Sequence, residues 1–178
     1  MDKVLWIFLG IAGPLILFKL VYALSTALVL PRTRGAMFVG TSRRKIRAIL
    51  EELSLSPSAR VVDLGCGDGR FLRAVWRRYR VRAVGYEINP FAWVLARSLN
   101  ALFRVPAEVR FGDFMQADLS GYDLIFCYLF PDVLPRLEEK IRREARPGTF
   151  IVSANFPLPG LKPQKVLHLD DPVYFYRL

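Results

Sequence analysis

Cysteine and histidine are almost missing from this chain: Cys66, Cys127 and His168 are the only ones in 178 residues. A disulfide framework needs more cysteines than that, and a Cys/His zinc site cannot be assembled from three such residues without carboxylate help. Acid is also short, with 16 Asp and Glu against 26 Lys and Arg for a net charge of +10. Most of those cations are arginine, a skew that genome composition produces without any function, so only their placement carries information. Internal repeats and low-complexity tracts are lacking as well, and a hydrophobic content of 53% excludes intrinsic disorder. A chain of this length holds at most one catalytic-size domain and one short appendage.

The hydrophobic excess is concentrated at the start. From Val4 to Leu30 the only charge is Lys19, and as a helix this run would reach about 40 Å, more than a bilayer core of about 30 Å. A transmembrane anchor over 4–30 is predicted. A signal peptide has a shorter apolar region that ends at a small-residue cleavage site, and a buried core helix is neither this long nor apolar all round. Lys19 at mid-span costs about 2.5–3.5 kcal/mol, so the span slides until the lysine stem can snorkel, and Gly13-Pro14 permits a kink. Arg32, Arg34, Arg43, Arg44, Lys45 and Arg47 follow the span, whereas only Asp2 and Lys3 precede it. The positive-inside rule then places the remainder on the cytoplasmic side. Those cations are expected to face anionic headgroups, which makes the lipid bilayer a partner and leaves no need for nucleic acid.

Residues 31–57 read as a basic juxtamembrane segment and a pre-core helix, and 58–178 as the catalytic domain. Thr41-Ser42 precede Arg43 to Leu53, where Ile46, Ile49, Leu50 and Leu53 recur at helical spacing. Strand and helix then alternate. Strands are predicted at 60–64, 81–86, 108–111, 122–129 and 149–154, helices at 70–79, 90–103 and 131–145 with Asp132 as cap, and a terminal strand pair at 164–169 and 173–176. This order predicts an α/β fold, an open and mostly parallel Rossmann-like sheet with helices on both faces. Ligands bind such sheets beyond the carboxyl ends of the strands, where the strand order reverses.

The residues able to carry chemistry gather at those ends. Asp63-Leu64-Gly65-Cys66-Gly67-Asp68-Gly69 closes one strand and opens a helix, with glycines where backbone must turn sharply and approach a ligand. Glu87 ends the next strand about 20 residues on, the position from which a carboxylate accepts hydrogen bonds from ribose hydroxyls. Asp113 follows the third, and with Phe114 it is placed to meet an adenine amino group and ring. A pyrophosphate avoids carboxylates at its helix N-terminus, but this loop is bracketed by Asp63 and Asp68, and Arg70 stands where a full GxGxxG needs glycine. The ammonium of S-adenosylmethionine suits the loop better than a dinucleotide does. Asp63 can equally tie down the turn, with or without cofactor.

The stretches VVDLGCGDGRF, AVGYEINPFAWVLAR and FGDF resemble the first three motifs of class I methyltransferases. Together with SANFPLPG, VLPRLEEKIRREARPGTFIV and the N-terminal apolar run, they resemble the small membrane-anchored protein-lysine methyltransferases that act on ATP synthase subunit c and the adenine nucleotide translocase. The likeness runs from about Phe38 to Tyr176. It implies an S-adenosylmethionine-dependent N-methyltransferase with a membrane-associated protein substrate bearing an accessible lysine, and cofactor contacts from Asp63, Gly65, Gly67, Glu87 and Asp113.

Many amino-methyltransferases that modify planar nitrogens carry Asn/Asp-Pro-Pro-Tyr after the fourth strand. Here the chain reads Cys127-Tyr128-Leu129-Phe130-Pro131-Asp132, which argues against amide or adenine substrates. Tyr128 and Phe130 either line an aromatic channel for a lysine stem or pack in the core. Asn155, after the fifth strand, either offers an amide acceptor to the incoming amine or forms a turn. Two other functions fit the same pattern, methylation of a lipid or small lipophilic molecule and a non-catalytic cofactor-binding assembly factor.

Overall fold

The structure, a computed structural model, describes residues 40–178 throughout and, before them, only Gly10, 12–17, 19–21, 23–25 and 27, each helical. The expected anchor over 4–30 therefore falls in part, and 31–39 wholly, outside the described residues. Among the described residues no helix is long and apolar enough to cross a membrane.

Apolar residues on consecutive strand positions need cover on both sides, and the sheet meets that need. The elements in chain order are α1 (Arg43–Glu52), β1 (Arg60–Leu64), α2 (Arg70–Tyr79), β2 (Arg82–Glu87), α3 (Pro90–Leu102), β3 (Glu108–Phe111), a 3-10 turn (Phe114–Gln116), β4 (Leu124–Cys127), α4 (Leu134–Glu144), β5 (Phe150–Ala154), β6 (Lys165–Leu167) and β7 (Val173–Arg177). Seven strands pair in the order β3-β2-β1-β4-β5-β7-β6. The first five are parallel, and β7 runs antiparallel to both of its neighbours. Val61, Leu124, Phe126 and Val152 on one face are covered by Ile46, Ile49, Phe71 and Leu72 from α1 and α2. Val62, Leu64, Ile125 and Ile151 on the other meet Leu134, Leu137 and Ile141 of α4. The predicted α/β sheet with helices on both faces is thus present.

Two features of this topology build a site. Strand order reverses at β1, which has β2 on one side and β4 on the other, so their carboxyl ends leave a crevice. The antiparallel β7 starts where β5 stops, Val173 lying opposite Ala154. The β6–β7 loop is therefore delivered to the same end, and Asn155 N–H donates to Pro172 O at 2.8 Å.

Local chemistry sets the boundaries. Ser42 Oγ accepts from Lys45 N–H at 3.2 Å and starts α1, and Asn89 Oδ1 accepts from Phe91 and Ala92 N–H to start α3. Asp132 does not cap α4, contrary to expectation. The helix opens at Leu134 behind Val133 with no side-chain cap. Backbone groups fill that role instead, with Val133 N–H bonded to Phe130 O and Leu134 N–H to Pro131 O, and Pro135 has no N–H to satisfy. Strand β4 is also shorter than the predicted 122–129. Its partner β1 ends at Leu64, opposite Cys127, because Gly65 turns away, and Tyr128 leaves the ladder.

Leu137 is fully buried beneath the sheet, whereas Leu102 is 71% exposed. Leu137→Ala is expected to cost about 2–5 kcal/mol in denaturant unfolding followed by circular dichroism, and Leu102→Ala less than about 0.5 kcal/mol. Equal effects would mean that the helix-covered face does not carry the stability.

Candidate active site

At the end of β1, Asp63 is buried and receives no hydrogen bond from any described residue. The residue is 2% exposed and borders a small cavity that Gly65, Asp68, Phe71 and Tyr128 also line. Burial, then the Glu87 and Asp68 carboxylates, pushes its carboxyl well above the usual range. A buried carboxylate without a partner is costly, and a cation placed in this cavity relieves the cost. Gly65 makes the approach possible: its φ of +83° is a left-handed conformation, and a Cβ there would crowd Leu129.

Glu87 shapes the loop from behind. Its Oε2 accepts from Gly67 N–H at 2.7 Å and its Oε1 from Asn89 N–H at 2.8 Å. Burial raises its carboxyl above the usual range, and backbone amides offset only part of that rise. One buried carboxylate thereby joins the glycine loop to the start of α3, and each oxygen keeps a lone pair for a ligand hydroxyl.

Asp68 is engaged differently from the cofactor role expected of it. Arg70 grips it through two guanidinium bonds, Nε to Oδ1 at 2.9 Å and Nη2 to Oδ2 at 3.0 Å, and Arg73 Nη1 donates to its backbone carbonyl. The same Arg70 donates through Nη1 to Thr41 O and lies where a Cβ on Gly40 would be. Asp68 therefore fastens the segment before α1 onto the loop, and Asp63 alone of the pair faces the cavity without a cation. Asp113 caps the 3-10 turn by accepting from Met115 N–H at 2.8 Å through Oδ1. Phe114 packs, partly buried, against the α4 side of the core. Both lie outside the cavity lining and connect to Glu87 through Gly112 N–H, which donates to Glu87 O.

The opposite wall holds Tyr128 and Asn155. Asn155 has a φ of +71°, which asparagine tolerates better than most residues. Its Nδ2 donates to Tyr128 Oη at 2.9 Å, while its Oδ1 accepts from Lys45 Nζ at 2.6 Å. Lys45 Nζ also donates to Asp171 Oδ2 at 2.8 Å and sits 5.4 Å from the Tyr128 ring centre. Burial, then Asp171, pushes the Tyr128 phenol up, which favours its neutral form. Phe130 does not line the cavity and is 39% exposed. Burial raises the Cys66 thiol and pushes Cys127 up to about 12, which disfavours the thiolate form of both.

Asp63, Gly65, Asp68 and Tyr128 thus meet around one cavity, Gly67 and Glu87 support it, and Asn155 is tied to Tyr128. Sequence reasoning missed Lys45, Arg70 and Asp171. Lys45 is expected among the cations facing headgroups, yet it is buried. Its helical phase is the signal, because it stands four residues before buried Ile49 on the inner face of α1.

Residues 63–165 match a family model described as ANTKMT methyltransferase domain. The chain is 32% identical over 152 residues to a protein-lysine N-methyltransferase of Saccharolobus islandicus, covering 78% of this chain and 91% of that one. It is 35% identical over 132 residues to the mouse adenine nucleotide translocase lysine N-methyltransferase, covering 73% of this chain but 57% of the mouse protein. Among solved structures, an RNA methyltransferase from Salinibacter ruber in complex with S-adenosyl-L-homocysteine superposes with a TM-score of 0.74 at 32% identity, over 78% of this chain and 93% of that one.

Because Glu87 accepts from two loop amides, Glu87→Ala strands both donors. At about 1–3 kcal/mol for each unsatisfied buried group, it should lower unfolding free energy by about 2–6 kcal/mol, against about 1 kcal/mol for loss of the Asp113 cap in Asp113→Ala. A Glu87→Ala protein as stable as the parent would remove Glu87 from the loop's support.

Proposed function

We propose a function from one premise: the chain belongs to the ANTKMT methyltransferase domain family. It is a methyltransferase, and we read it as an S-adenosylmethionine-dependent enzyme that methylates the side-chain amine of a lysine in a protein. The observation that carries this reading is that Tyr128 lines the same cavity as Asp63 and Gly65, so the wall beside the acceptor adjoins the pocket for the cofactor.

The residues fit that cofactor. Asp63 offers an unpartnered carboxylate for its ammonium, Gly65 and Gly67 let the backbone come close, and Glu87 and Asp113 keep acceptor capacity for ribose and adenine. When bound, S-adenosylmethionine supplies an electrophilic methyl on a good leaving group. The protein then has mainly to align a neutral amine and let its proton go, and alignment is the larger contribution. Tyr128 presents a neutral phenol oxygen for an amine N–H and an aromatic face for the ammonium. No paired acceptors of the kind a planar base nitrogen needs follow β4, which favours an alkyl amine over RNA. The names of the archaeal and mouse relatives support a protein lysine as acceptor.

The run from Val4 to Leu30 is the membrane anchor in this reading, residues 31–57 the basic juxtamembrane segment with α1, and 58–178 the methyltransferase domain on the cytoplasmic side. Composition and charge asymmetry support it. Tethering raises the concentration of the enzyme near a membrane-associated target without new contacts.

Full-length solubilised protein, methyl-labelled cofactor and membranes from a strain lacking the gene test the acceptor. Acid hydrolysis should release label as methyllysine, and the rate should climb from about pH 7 to about 9.5, because free lysine ionises near 10.4. Label extracted with lipid, or found in RNA, would overturn the lysine reading.

A further inference from the structure

Buried lysines need a partner, and for Lys45 Asp171 alone would suffice. The carboxylate lies 2.8 Å from Nζ and is about half exposed, at 53% of its side-chain surface. The second bond, 2.6 Å to Asn155 Oδ1, has a further consequence. An ammonium has donors only and an amide has one end of each kind. With Lys45 against it, Asn155 must turn its oxygen toward α1 and its NH2 toward Tyr128, where Nδ2 meets Oη at 2.9 Å. The backbone leaves little slack: Asn155 is held in the left-handed region and its N–H bonds to Pro172 O. Tyr128, which lines the cavity, keeps on its Oη a second lone pair and its own hydrogen after accepting from Asn155.

We propose that Lys45 is a positioning residue for the acceptor amine: through Asn155 it fixes the Tyr128 phenol so that one lone pair stays available to an amine N–H. The proposal rests on the lysine-methyltransferase reading of this cavity. It assigns to α1, the helix that follows the basic segment, a part in the acceptor site. It also means that Asn155 Oδ1 is not free for the substrate, and that Tyr128 provides the acceptor instead. Without the ammonium, the amide can rotate and the phenol loses its fixed partner.

The experiment is a double-mutant cycle on full-length solubilised protein, with methyl-labelled S-adenosylmethionine and membranes from the strain lacking the gene, both saturating. Lys45→Met should lower the rate about a hundredfold, the scale of an ångström-sized misplacement, with cofactor affinity and melting temperature near those of the parent. Lys45→Arg should recover most of the rate, and Arg44→Ala, an exposed neighbour on the same helix, should keep it. If Lys45 acts through Asn155, Lys45→Met adds nothing further in an Asn155→Ala background. An unchanged rate in Lys45→Met, or losses that multiply, would overturn the proposal. Should Lys45→Met fail to fold, the same cycle is run with Lys45→Gln, whose amide stops an atom short of Asn155, and the same outcomes decide. A parent enzyme that places no label on lysine refutes the acceptor reading, whereas a parent that does so beside an unaffected Lys45 variant refutes only the positioning role.

Discussion

The arrangement depends on one constraint, a carboxylate, buried at the reversal point of the sheet, that receives no hydrogen bond from the described residues. Asp63 lies opposite Gly85 on β2 and Phe126 on β4, so apolar chain and backbone surround it on both sides. Nearby cations are committed elsewhere: Arg70 and Arg73 to Asp68, and Lys45 to Asp171 and Asn155. The fold thus holds a buried carboxylate that a cationic ligand in the cavity would favour, and such sites are where perturbed carboxylates mark function. Glycines at 65 and 67, the Glu87 brace and the Arg70 fastening of the chain before α1 all keep that carboxylate reachable while holding the surrounding backbone in place.

The second wall is built from parts remote in sequence. Strand β4 ends early because β1 turns away at Gly65, which releases Tyr128 toward the cavity. Antiparallel insertion of β7 brings the loop holding Asp171 and Pro172 to the end of β5, where Asn155 sits. Lys45 then crosses from α1 to join them. An acceptor wall assembled from α1, the ends of β4 and β5 and the β6–β7 loop is a composite whose geometry changes when any one segment moves. The proposed cofactor side, by contrast, is made of the ends of three neighbouring strands, β1, β2 and β3.

That difference explains what could be read from the residues alone. The order of strands and helices, the glycine loop and the placement of the carboxylates 63, 87 and 113 at strand ends were legible because each depends on short-range pattern: apolar runs, tight turns, a strand followed by a helix. Strand limits at 122–129 failed because a ladder ends where its neighbour ends, and no local signal in β4 records the turn in β1. The proposed cap at Asp132 failed because a backbone turn and Pro135 removed the need for one. The pairing of Asp68 with Arg70 was not legible, since it requires the arginine to fold back across its own helix start. Lys45 and Asp171 were invisible as a pair, 126 residues apart, and Lys45 was hidden further by the basic residues around it.

The claim that Asp63 waits for the cofactor's ammonium is tested most directly by calorimetric titration of S-adenosylmethionine in buffers of different ionisation enthalpy. In the free protein the raised pKa keeps Asp63 partly protonated above the ordinary carboxylate range, and a bound cation favours the ionised form. Binding should therefore release a proton at pH values above the ordinary carboxylate range, with affinity rising as pH rises there. Asp63→Asn should bind more weakly, without that pH dependence and without the proton. An Asp63→Asn protein that binds as tightly and releases the same proton would contradict the account.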